Sequence, residues 1–253
     1  GFSILDLQKS LRAVFEDMRD KLAGTLSEGE LRRLYSEEQH LLDALYVAFE
    51  DRFRGNREDI KERARIYLPF IEKSHSHARD ARVLDIGCGR GEWLELLLEN
   101  GYSAKGIDTN RIMVEQCRDR GLDVVEYDAL RYLREQATGT FSAVTGLHII
   151  EHLPLTLLIQ LLDEVLRILR PGGIAIFETP NPENMIVGST FFHIDPTHGN
   201  PVHPLTMDFL LGQRGFSRTE ILRLHAMPSQ EIDNKVVHDL LFGPQDFAAI
   251  GYK

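Results

Sequence analysis

The sequence predicts an α/β protein with a Rossmann-like, doubly wound and mostly parallel seven-stranded sheet, an antiparallel edge hairpin and an N-terminal helical extension. Two patterns along the 253 residues support this fold class. Apolar residues recur at helical spacing in the first third of the chain. From residue 82 onward, short apolar runs alternate with helical segments, which is typical of a parallel sheet covered on both faces.

The strands are predicted from the short apolar runs. Five of these runs alternate with helices and are expected to be parallel, at residues 82–86, 103–107, 123–127, 143–147 and 174–178. Two more follow a long irregular stretch and are expected to pair as the edge hairpin, near residues 217–224 and 246–251. The helices predicted in this region cover residues 92–100, 111–120, 155–169 and 205–214.

Residues 1–72 are predicted to form the helical extension, and residues 73–253 a second domain. Helical stretches are expected at residues 5–22, 27–53 and 57–71. Ser27 and Glu30 match a capping box at the start of the second stretch. Three roles are open for the extension: a cap on its own domain, a lid over a ligand site, or a surface through which copies of the chain form a homo-oligomer.

Composition restricts the class of partner. The formal net charge is −10, and an acidic protein disfavours general nucleic-acid binding because phosphate contacts require positive charge. No apolar run is long enough to span a bilayer. The two cysteines, Cys88 and Cys117, match neither a disulfide framework nor a zinc spacing. We therefore expect a cytoplasmic protein with reduced thiols, with peripheral association at the inner face of the membrane as the alternative.

A glycine-rich turn is predicted where the first strand meets its helix, at residues 85–91 with the sequence DIGCGRG. The glycines permit a tight turn and let a ligand approach the backbone closely, and the helix that follows offers free N–H groups. Alone, such a turn is also found as a bare connection between strand and helix. The glycine spacing lacks the third glycine of a dinucleotide-binding turn, so it does not indicate a pyrophosphate.

Two carboxylates follow the next two strands. Asp108 ends the second strand about 20 residues after the turn, where a carboxylate accepts the hydroxyl hydrogens of a ribose. Asp128 ends the third strand, where it is able to receive an adenine amino group. Each aspartate has an alternative role as a helix N-cap. The ordered occurrence of the glycine turn and the two aspartates disfavours that role more for Asp108 than for Asp128.

Five segments, one per strand and in order, resemble the motifs of class I S-adenosylmethionine methyltransferases: DIGCGRG, GIDTN, VVEYDAL, FSAVTGLHIIEHLP and LRPGGIAIFETPNPEN. The resemblance covers residues 82–253 and implies S-adenosylmethionine as the cofactor. It assigns the methionine part to Asp85, Gly87, Gly89 and Gly91. It assigns the ribose to Asp108 and Asn110, the adenine to Asp128 and Ala129, and the surroundings of the sulfonium to Leu147 and His148.

Three further segments, RFRG at residues 52–55, ETPNPEN and FFHIDPTH, resemble the methyltransferase module of bacterial enzymes that cap O-antigen polysaccharide chains. This narrower resemblance implies that the acceptor is a terminal sugar hydroxyl or phosphate of a surface polysaccharide. Arg54 and Arg57 are candidates to bind the cofactor carboxylate or an anionic acceptor, since a guanidinium fork matches both. The alternative is a solvated pair of charges at a helix start.

Histidines and a carboxylate cluster after the fourth and fifth strands. As general bases, the catalytic candidates are His148, His152, His193 and His198. As ligands of a divalent metal, the candidates are His148, Glu151, His152 and His198. A metal is not expected. Residues 148–152 resemble the Glu-x-x-Glu-His element of small-RNA 2′-O-methyltransferases, but His148 stands where that element has its first Glu. A third alternative is that Glu151 and His152 only cap the helix and pack beside the cofactor.

These observations leave three functions open. The leading expectation is an O-methyltransferase that acts on a glycan end, because Asp195, Thr197 and His198 in the loop after the fifth strand suit a sugar. The second is an O-methyltransferase for a small metabolite of quinone or polyketide type. The third is a cofactor-binding scaffold that has lost catalysis, which the intact glycine and aspartate set disfavours.

Overall fold

The computed structural model describes residues 13–14, 40–75, 82–227 and 234–253. Its strands are β1 Arg82–Ile86, β2 Ser103–Asp108, β3 Val124–Glu126, β4 Phe141–Leu147, β5 Leu169–Pro180, β6 Arg218–Ala226 and β7 Pro244–Tyr252. They form one sheet in the order β3-β2-β1-β4-β5-β7-β6. The first five strands are parallel, and β7 is antiparallel to both β5 and β6. The predicted fold class is therefore confirmed, including the edge hairpin.

The α-helices of the described residues are α1 Asp43–Phe53, α2 Arg57–Ala64, α3 Leu68–His75, α4 Glu92–Glu99, α5 Arg111–Asp119, α6 Ala129–Glu135, α7 Leu155–Ile168, α8 Met185–Ser189, α9 Pro204–Arg214 and α10 Lys235–Phe242. Short 3₁₀ turns precede α1 at His40–Leu42 and α7 at Ile150–His152. Another 3₁₀ turn, Phe191–Ile194, follows α8. These turns place several of the site residues described below.

Three short helices, α6, α8 and α10, were not predicted. Each begins after a residue whose side chain accepts a backbone N–H group of the first turn: Asp128, Asn184 and Asn234. Such capping replaces the intrahelical acceptor that the first turn lacks. The helices are too short for a periodic apolar pattern, and their caps are residue types equally common in loops, so the sequence gives little signal for them.

The helix predicted at residues 57–71 is wrong as a single element. It is divided into α2 and α3 by a 3₁₀ turn, Arg65–Tyr67, in which Leu68 N–H bonds to the carbonyl of Arg65. Pro69 has no N–H to continue the helix, but a proline is tolerated in a first turn, so α3 starts anew around it. The stretch at residues 5–22, apart from residues 13–14, lies outside the described residues, as do residues 27–39 of the second stretch, with Ser27 and Glu30.

Both faces of the sheet are covered by apolar side chains. One cluster joins Leu84, Val144 and Phe177 of the strands to α7 and α9. The other includes Tyr67 and Ile71, which have no exposed surface and come from the N-terminal helices. The helices α2 and α3 therefore pack on the same sheet as the rest of the chain, and the boundary between residues 72 and 73 stays a prediction. No helix among the described residues has the length and apolar character needed to cross a membrane.

Gly91 and Gly121 allow a matched test of the glycine turn. Both have φ of +80°, but a Cβ on Gly91 would lie 2.7 Å from Leu122 Cδ1 and 2.8 Å from Cys117 Sγ, whereas a Cβ on Gly121 would have no atom of the described residues within 4 Å. We expect Gly121→Ala to lower the free energy of unfolding by about 1 kcal/mol through backbone strain alone. Gly91→Ala is expected to lower it by about 3 kcal/mol, because overpacking adds to the strain. Urea unfolding measures both, and equal losses would contradict the packing described.

Candidate active site

The carboxyl ends of β1, β2, β4 and β5 meet at one edge of the sheet, where the turns that follow them surround a cleft. The antiparallel hairpin contributes to the same edge, since Asp246 near the start of β7 pairs with Pro180 of β5 and Leu224 of β6. His225, next to Leu224, therefore lies at this edge too. Most of the residues predicted to bind cofactor or acceptor lie here, together with partners that the sequence did not indicate.

The side chain of Asp108 connects the end of β2 to the glycine turn by a hydrogen bond. Its Oδ2 accepts the Gly89 N–H at 2.8 Å and its Oδ1 accepts the Asn110 N–H at 2.8 Å. Burial raises the pKa of this carboxyl group, and these backbone hydrogen bonds oppose the rise. Asn110 caps α5 through Met113 N–H at 3.1 Å and donates to the Asp43 carbonyl at 3.1 Å. Its side chain is thus engaged within the protein, and its contact with a cofactor stays a prediction.

Asp85 lies beneath the turn and not on its open side. It is 3% exposed, and its Oδ1 accepts the Thr145 hydroxyl at 2.7 Å, while Trp93 Nε1 donates to that hydroxyl at 3.0 Å. Burial raises the pKa of Asp85 to about 7. A carboxyl group that is partly protonated at neutral pH is a weak partner for a cation, so the geometry favours a supporting role for Asp85.

Asp128 lines a cavity of about 570 Å³ at the β3 end of the cleft. It is exposed and caps α6 through Arg131 N–H at 2.9 Å, so the predicted cap is observed. His40 and Asp43 of the N-terminal segment line the opposite side of this cavity. Ala129, the first residue of α6, is half-buried against the core. The adenine contacts assigned to Asp128 and Ala129 stay predictions.

The helix α1 crosses the glycine turn. At its start, Asp43 Oδ2 accepts the Arg111 N–H at 2.9 Å. At its end, Arg54 Nη1 donates to Glu50 Oε1 at 2.8 Å and lies 3.8 Å from the position that a Cβ on Gly89 would take. Arg57, expected to share the role of Arg54, instead donates to the Arg90 carbonyl and to Glu95, both at 2.8 Å. Both arginines therefore contact the turn, and Arg54 is the one that lies beside Gly89.

A second cavity, of about 520 Å³, opens beside the turn at the ends of β4 and β5. Its polar side is formed by His148, His152, Glu178, Asp195, His198 and Asp246. Its apolar side is formed by Phe49, Phe53, Leu147, Phe191 and Ile194. Glu50 and Arg54 line it toward the glycine turn. His193 is exposed and is not among the lining residues, so the structure does not place this predicted histidine with the others.

His148 is held between two buried carboxylates. Its Nδ1 lies 3.3 Å from Glu151 Oε1, and its Nε2 lies 3.3 Å from Glu178 Oε1. Burial disfavours the imidazolium form, but the hydrogen bonds to both carboxylates outweigh burial and raise the pKa of His148 well above its ordinary value. Burial likewise opposes ionisation of Glu151 and Glu178, and the contact with His148 lowers the pKa of both. Because a carboxylate oxygen lies 3.3 Å from each ring nitrogen and stabilises the imidazolium form, this geometry does not favour His148 as the general base expected from the sequence.

Glu178 is the centre of a network that the sequence did not indicate. It accepts a hydrogen bond from the Tyr67 hydroxyl, and His225 Nδ1 lies 3.7 Å away. His225 also contacts Asp246 Oδ2 at 3.0 Å. Within the described residues, His148 (φ 60°) and His225 (φ 58°) are the non-glycine residues with positive φ, and both face Glu178. Such strained backbone clusters at functional sites. The available signal was the position of Glu178 at the end of the fifth predicted strand.

His198 is the histidine of the cavity best suited to accept a proton. Its Nδ1 contacts the Phe192 carbonyl at 2.8 Å, so Nδ1 carries the hydrogen and Nε2 holds the free lone pair of the neutral ring. Burial lowers the pKa of His198. His152 Nδ1 contacts the Thr197 hydroxyl at 3.0 Å, beside the His198 ring.

The predicted metal-ligand set is divided in the structure. Ligand atoms of Glu151, His152 and His198 lie within 4.8 Å of one another, while His148 groups with Glu178 and Asp246. Two groups of three therefore replace the four-residue set expected from the sequence. Glu151 Oε1 lies 3.3 Å from His148 Nδ1 and has no hydrogen-bond partner among the described residues. We derive no step through a metal.

The polar residues of the loop after β5 contact one another. Asp195 accepts the Thr197 backbone N–H at 2.8 Å, the Thr197 hydroxyl at 2.6 Å and the Tyr46 hydroxyl at 3.0 Å. Burial opposes ionisation of Asp195, but the hydrogen bonds from Thr197 lower its pKa. These groups, which suggested a sugar acceptor, are engaged in holding the loop against α1.

A doubly wound sheet with this glycine turn after β1, an aspartate after β2 and a cavity at the end of β4 defines the class I S-adenosylmethionine-dependent methyltransferases. A family model described as a methyltransferase domain matches residues 50–221. The chain belongs to this family and is an S-adenosylmethionine-dependent methyltransferase. The cofactor is therefore S-adenosylmethionine, as expected from the ordered motifs.

Curated relatives include proteins named ubiquinone biosynthesis O-methyltransferase. That of Methylococcus capsulatus is 30% identical over 119 residues, 45% of this chain and 49% of that protein. That of Psychrobacter arcticus is 29% identical over 164 residues, 58% of this chain and 63% of that protein. The chain thus spans about half to two thirds of the length of these relatives.

Solved structures agree with the fold. An S-adenosylmethionine-dependent methyltransferase from Archaeoglobus fulgidus has a TM-score of 0.74 and 35% identity, covering 82% of this chain and 99% of that one. Phosphoethanolamine N-methyltransferase 2 of Haemonchus contortus, in complex with S-adenosyl-L-methionine, has a TM-score of 0.56 and 15% identity, covering 81% and 59%. The second likeness shows the shared fold alone.

His148→Ala tests the buried charge network. The change leaves Glu151 and Glu178 without their cation and is expected to lower the free energy of unfolding by about 2 kcal/mol, since partial exposure of His148 screens the charges. The folded pKa of His148 is raised, so its stabilisation is fully present below pH about 6.5 and is lost as pH rises through the folded pKa.

Urea unfolding of His148→Ala at pH 6 and above pH 8 measures this effect. His193→Ala, at an exposed position, is the matched control and is expected to change stability by less than about 0.5 kcal/mol. Wild-type stability of His148→Ala at pH 6 would contradict the network.

Proposed function

We propose that the protein transfers the methyl group of S-adenosylmethionine to a hydroxyl oxygen of a small molecule that carries an apolar ring or chain. The cavity of about 520 Å³ is the observation that carries this proposal. It adjoins the glycine turn, and its lining combines large apolar side chains with a polar set that includes His198, Glu178 and Asp246. This combination suits a molecule with one apolar part and one hydroxyl-bearing part.

The apolar wall is the first support. Phe53 is 53% exposed, Phe191 41% and Ile194 45%, and all three line the cavity. Large apolar side chains grouped around a concave surface are typical of a ligand site. A sugar or phosphate would leave this wall in contact with polar atoms, whereas an aromatic ring or an alkyl chain would bury it.

The relatives are the second support. Proteins named for ubiquinone biosynthesis are O-methyltransferases by their names, and they match this chain at about 30% identity over about half of their length. We therefore prefer a small metabolite over the glycan end expected from the O-antigen resemblance. The polar residues of the loop after β5 favoured a sugar, but Asp195 and Thr197 bond to each other in the structure. A glycan acceptor stays a prediction.

The proposed reaction is an in-line displacement in which the acceptor oxygen forms a bond to the methyl carbon as the bond from that carbon to sulfur breaks. The cofactor supplies a methyl group already activated on a sulfonium, which leaves as the neutral thioether. The protein therefore has to align the hydroxyl and accept its proton. We assign proton acceptance to His198 Nε2, and binding of hydroxyl groups to Glu178 and Asp246 at the polar side of the cavity.

A panel of acceptors tests the substrate class. Purified protein with methyl-labelled cofactor is offered phenols and catechols with and without an alkyl chain, and oligosaccharides that end in a free sugar hydroxyl or in a phosphate. We expect label in the alkylated aromatic alcohols, with a lower KM than their chainless counterparts. Label in the oligosaccharides alone would contradict the proposal and would restore the glycan acceptor.

His198→Asn tests the proton acceptor. Asparagine keeps an N–H donor for the Phe192 carbonyl but has no basic nitrogen, so kcat is expected to fall by about 10²- to 10⁴-fold with little change in the KM for the cofactor. Because neutral His198 is required and burial lowers its pKa, wild-type activity is expected to fall as pH drops through a value below 6.5. This acidic limb should vanish in the variant.

The pH profile of kcat/KM, measured with the best acceptor of the panel, is the readout. His193→Asn is the control, because His193 is exposed and does not line the cavity. A His198→Asn variant with the wild-type rate and the wild-type acidic limb would exclude His198 as the base.

A further inference from the structure

An acidic side chain of α1 faces the glycine turn beside Arg54. Glu50 lies one helical turn before Arg54, is 7% exposed and lines the same cavity. A Cβ atom built on Gly89 would lie 3.6 Å from Glu50 Oε2 and 3.8 Å from Arg54 Nη1. Both charged groups therefore reach the open side of the turn, where the methionine part of the cofactor is expected to bind.

The two oxygens of Glu50 are used unequally. Oε1 accepts the hydrogen bond from Arg54 Nη1 at 2.8 Å. Oε2 is buried and has no hydrogen-bond partner among the described residues, and Arg90 Nε lies 3.9 Å from it. A buried carboxylate oxygen without a hydrogen bond is costly, so a ligand that donates to Oε2 would gain affinity there.

The cofactor brings the complementary charges. Its methionine end carries an α-carboxylate and an α-ammonium on the same carbon atom, and a guanidinium fork matches the carboxylate. We propose that Glu50 Oε2 binds the α-ammonium group while Arg54 binds the α-carboxylate. The inference rests on cofactor binding, which the family establishes, and not on the acceptor proposed above.

Asp85 is the competing partner for the ammonium group, because it belongs to the same glycine-rich segment. However, Asp85 is 3% exposed, accepts the Thr145 hydroxyl and lines neither cavity. Its raised pKa of about 7 also leaves a large share of it uncharged at neutral pH. Glu50 is therefore the better placed carboxylate.

Ligands that lack one charged group separate the two contacts. Calorimetry is carried out with S-adenosylhomocysteine, with 5′-S-(3-aminopropyl)-5′-thioadenosine, which lacks the carboxylate, and with 5′-S-(3-carboxypropyl)-5′-thioadenosine, which lacks the ammonium. 5′-Deoxy-5′-methylthioadenosine lacks both groups. For Glu50→Gln we expect affinity for the two ligands with an ammonium to fall about tenfold or more, and affinity for the other two to stay within about twofold or to rise.

Glu58→Gln is the matched control, because the Glu58 side chain is 82% exposed on α2, and it should leave all four affinities unchanged. Equal loss for all four ligands in Glu50→Gln would overturn the proposal, since Glu50 would then only hold α1 in place. The proposal would also be overturned if the wild-type protein bound S-adenosylhomocysteine no more tightly than the carboxypropyl ligand. This second result needs no variant, and no acceptor enters either measurement, so failure of the proposed function leaves the test intact.

Discussion

The turn between β1 and α4 has no room for a side chain at Gly87 or at Gly91. Gly87, Gly89 and Gly91 all have positive φ, and Cβ atoms on Gly87 and Gly91 would collide with Ile149, Leu122 and Cys117. The close packing lets Gly89 N–H reach Asp108 at the end of β2. Together with the hydrogen bonds from the Gly87 and Cys88 N–H groups to the Ile107 carbonyl, at 2.8 and 3.1 Å, this bond joins the turn after β1 to the end of β2. The placement of Asn110, and through it of α1, depends on that connection.

The helix α1 then connects the parts of the site. Its first residue, Asp43, lines the cavity beside Asp128, and its last turns carry Glu50 and Arg54 over the glycine turn. Between them, Tyr46 bonds to Asp195 in the loop after β5. One helix therefore contacts the cleft from the expected adenine end to the acceptor cavity. The N-terminal segment therefore lines both cavities in addition to packing on the sheet.

Much of the fold could be predicted, because strands buried on both faces appear as continuous apolar runs and glycines mark the turn. The bounds of β1, Arg82–Ile86, were predicted as observed, and the edge hairpin was expected from its late position in the chain. The ends of the elements were predicted less accurately. The helical pattern of α7 continues in the sequence through Leu169, but the backbone is already extended there and Leu169 is the first residue of β5.

The candidate site was predicted less completely, because its chemistry depends on which side chains meet. The motif after β4 indicated a basic histidine, yet His148 lies between two carboxylates, which raise its pKa. Glu178, Tyr67, His225 and Asp246 come from four separate elements, and only the three-dimensional fold brings them together. The polar residues of the loop after β5 indicated a sugar acceptor, but Asp195 and Thr197 bond to each other and Asp195 also bonds to Tyr46 of α1. The type of a residue indicates which chemistry its side chain is able to perform, whereas the charge state and hydrogen-bond partners of that side chain depend on how the fold packs around it.

A crystal structure of the protein with S-adenosylhomocysteine would locate the cofactor in the cleft. We expect an amino-acid part held between the glycine turn and α1, within hydrogen-bond distance of Arg54, with ribose hydroxyls at Asp108. We also expect a sulfur atom that faces the cavity beside Leu147. An amino-acid part directed away from α1, or a ligand that leaves Asp108 without contact, would contradict this placement of the cofactor.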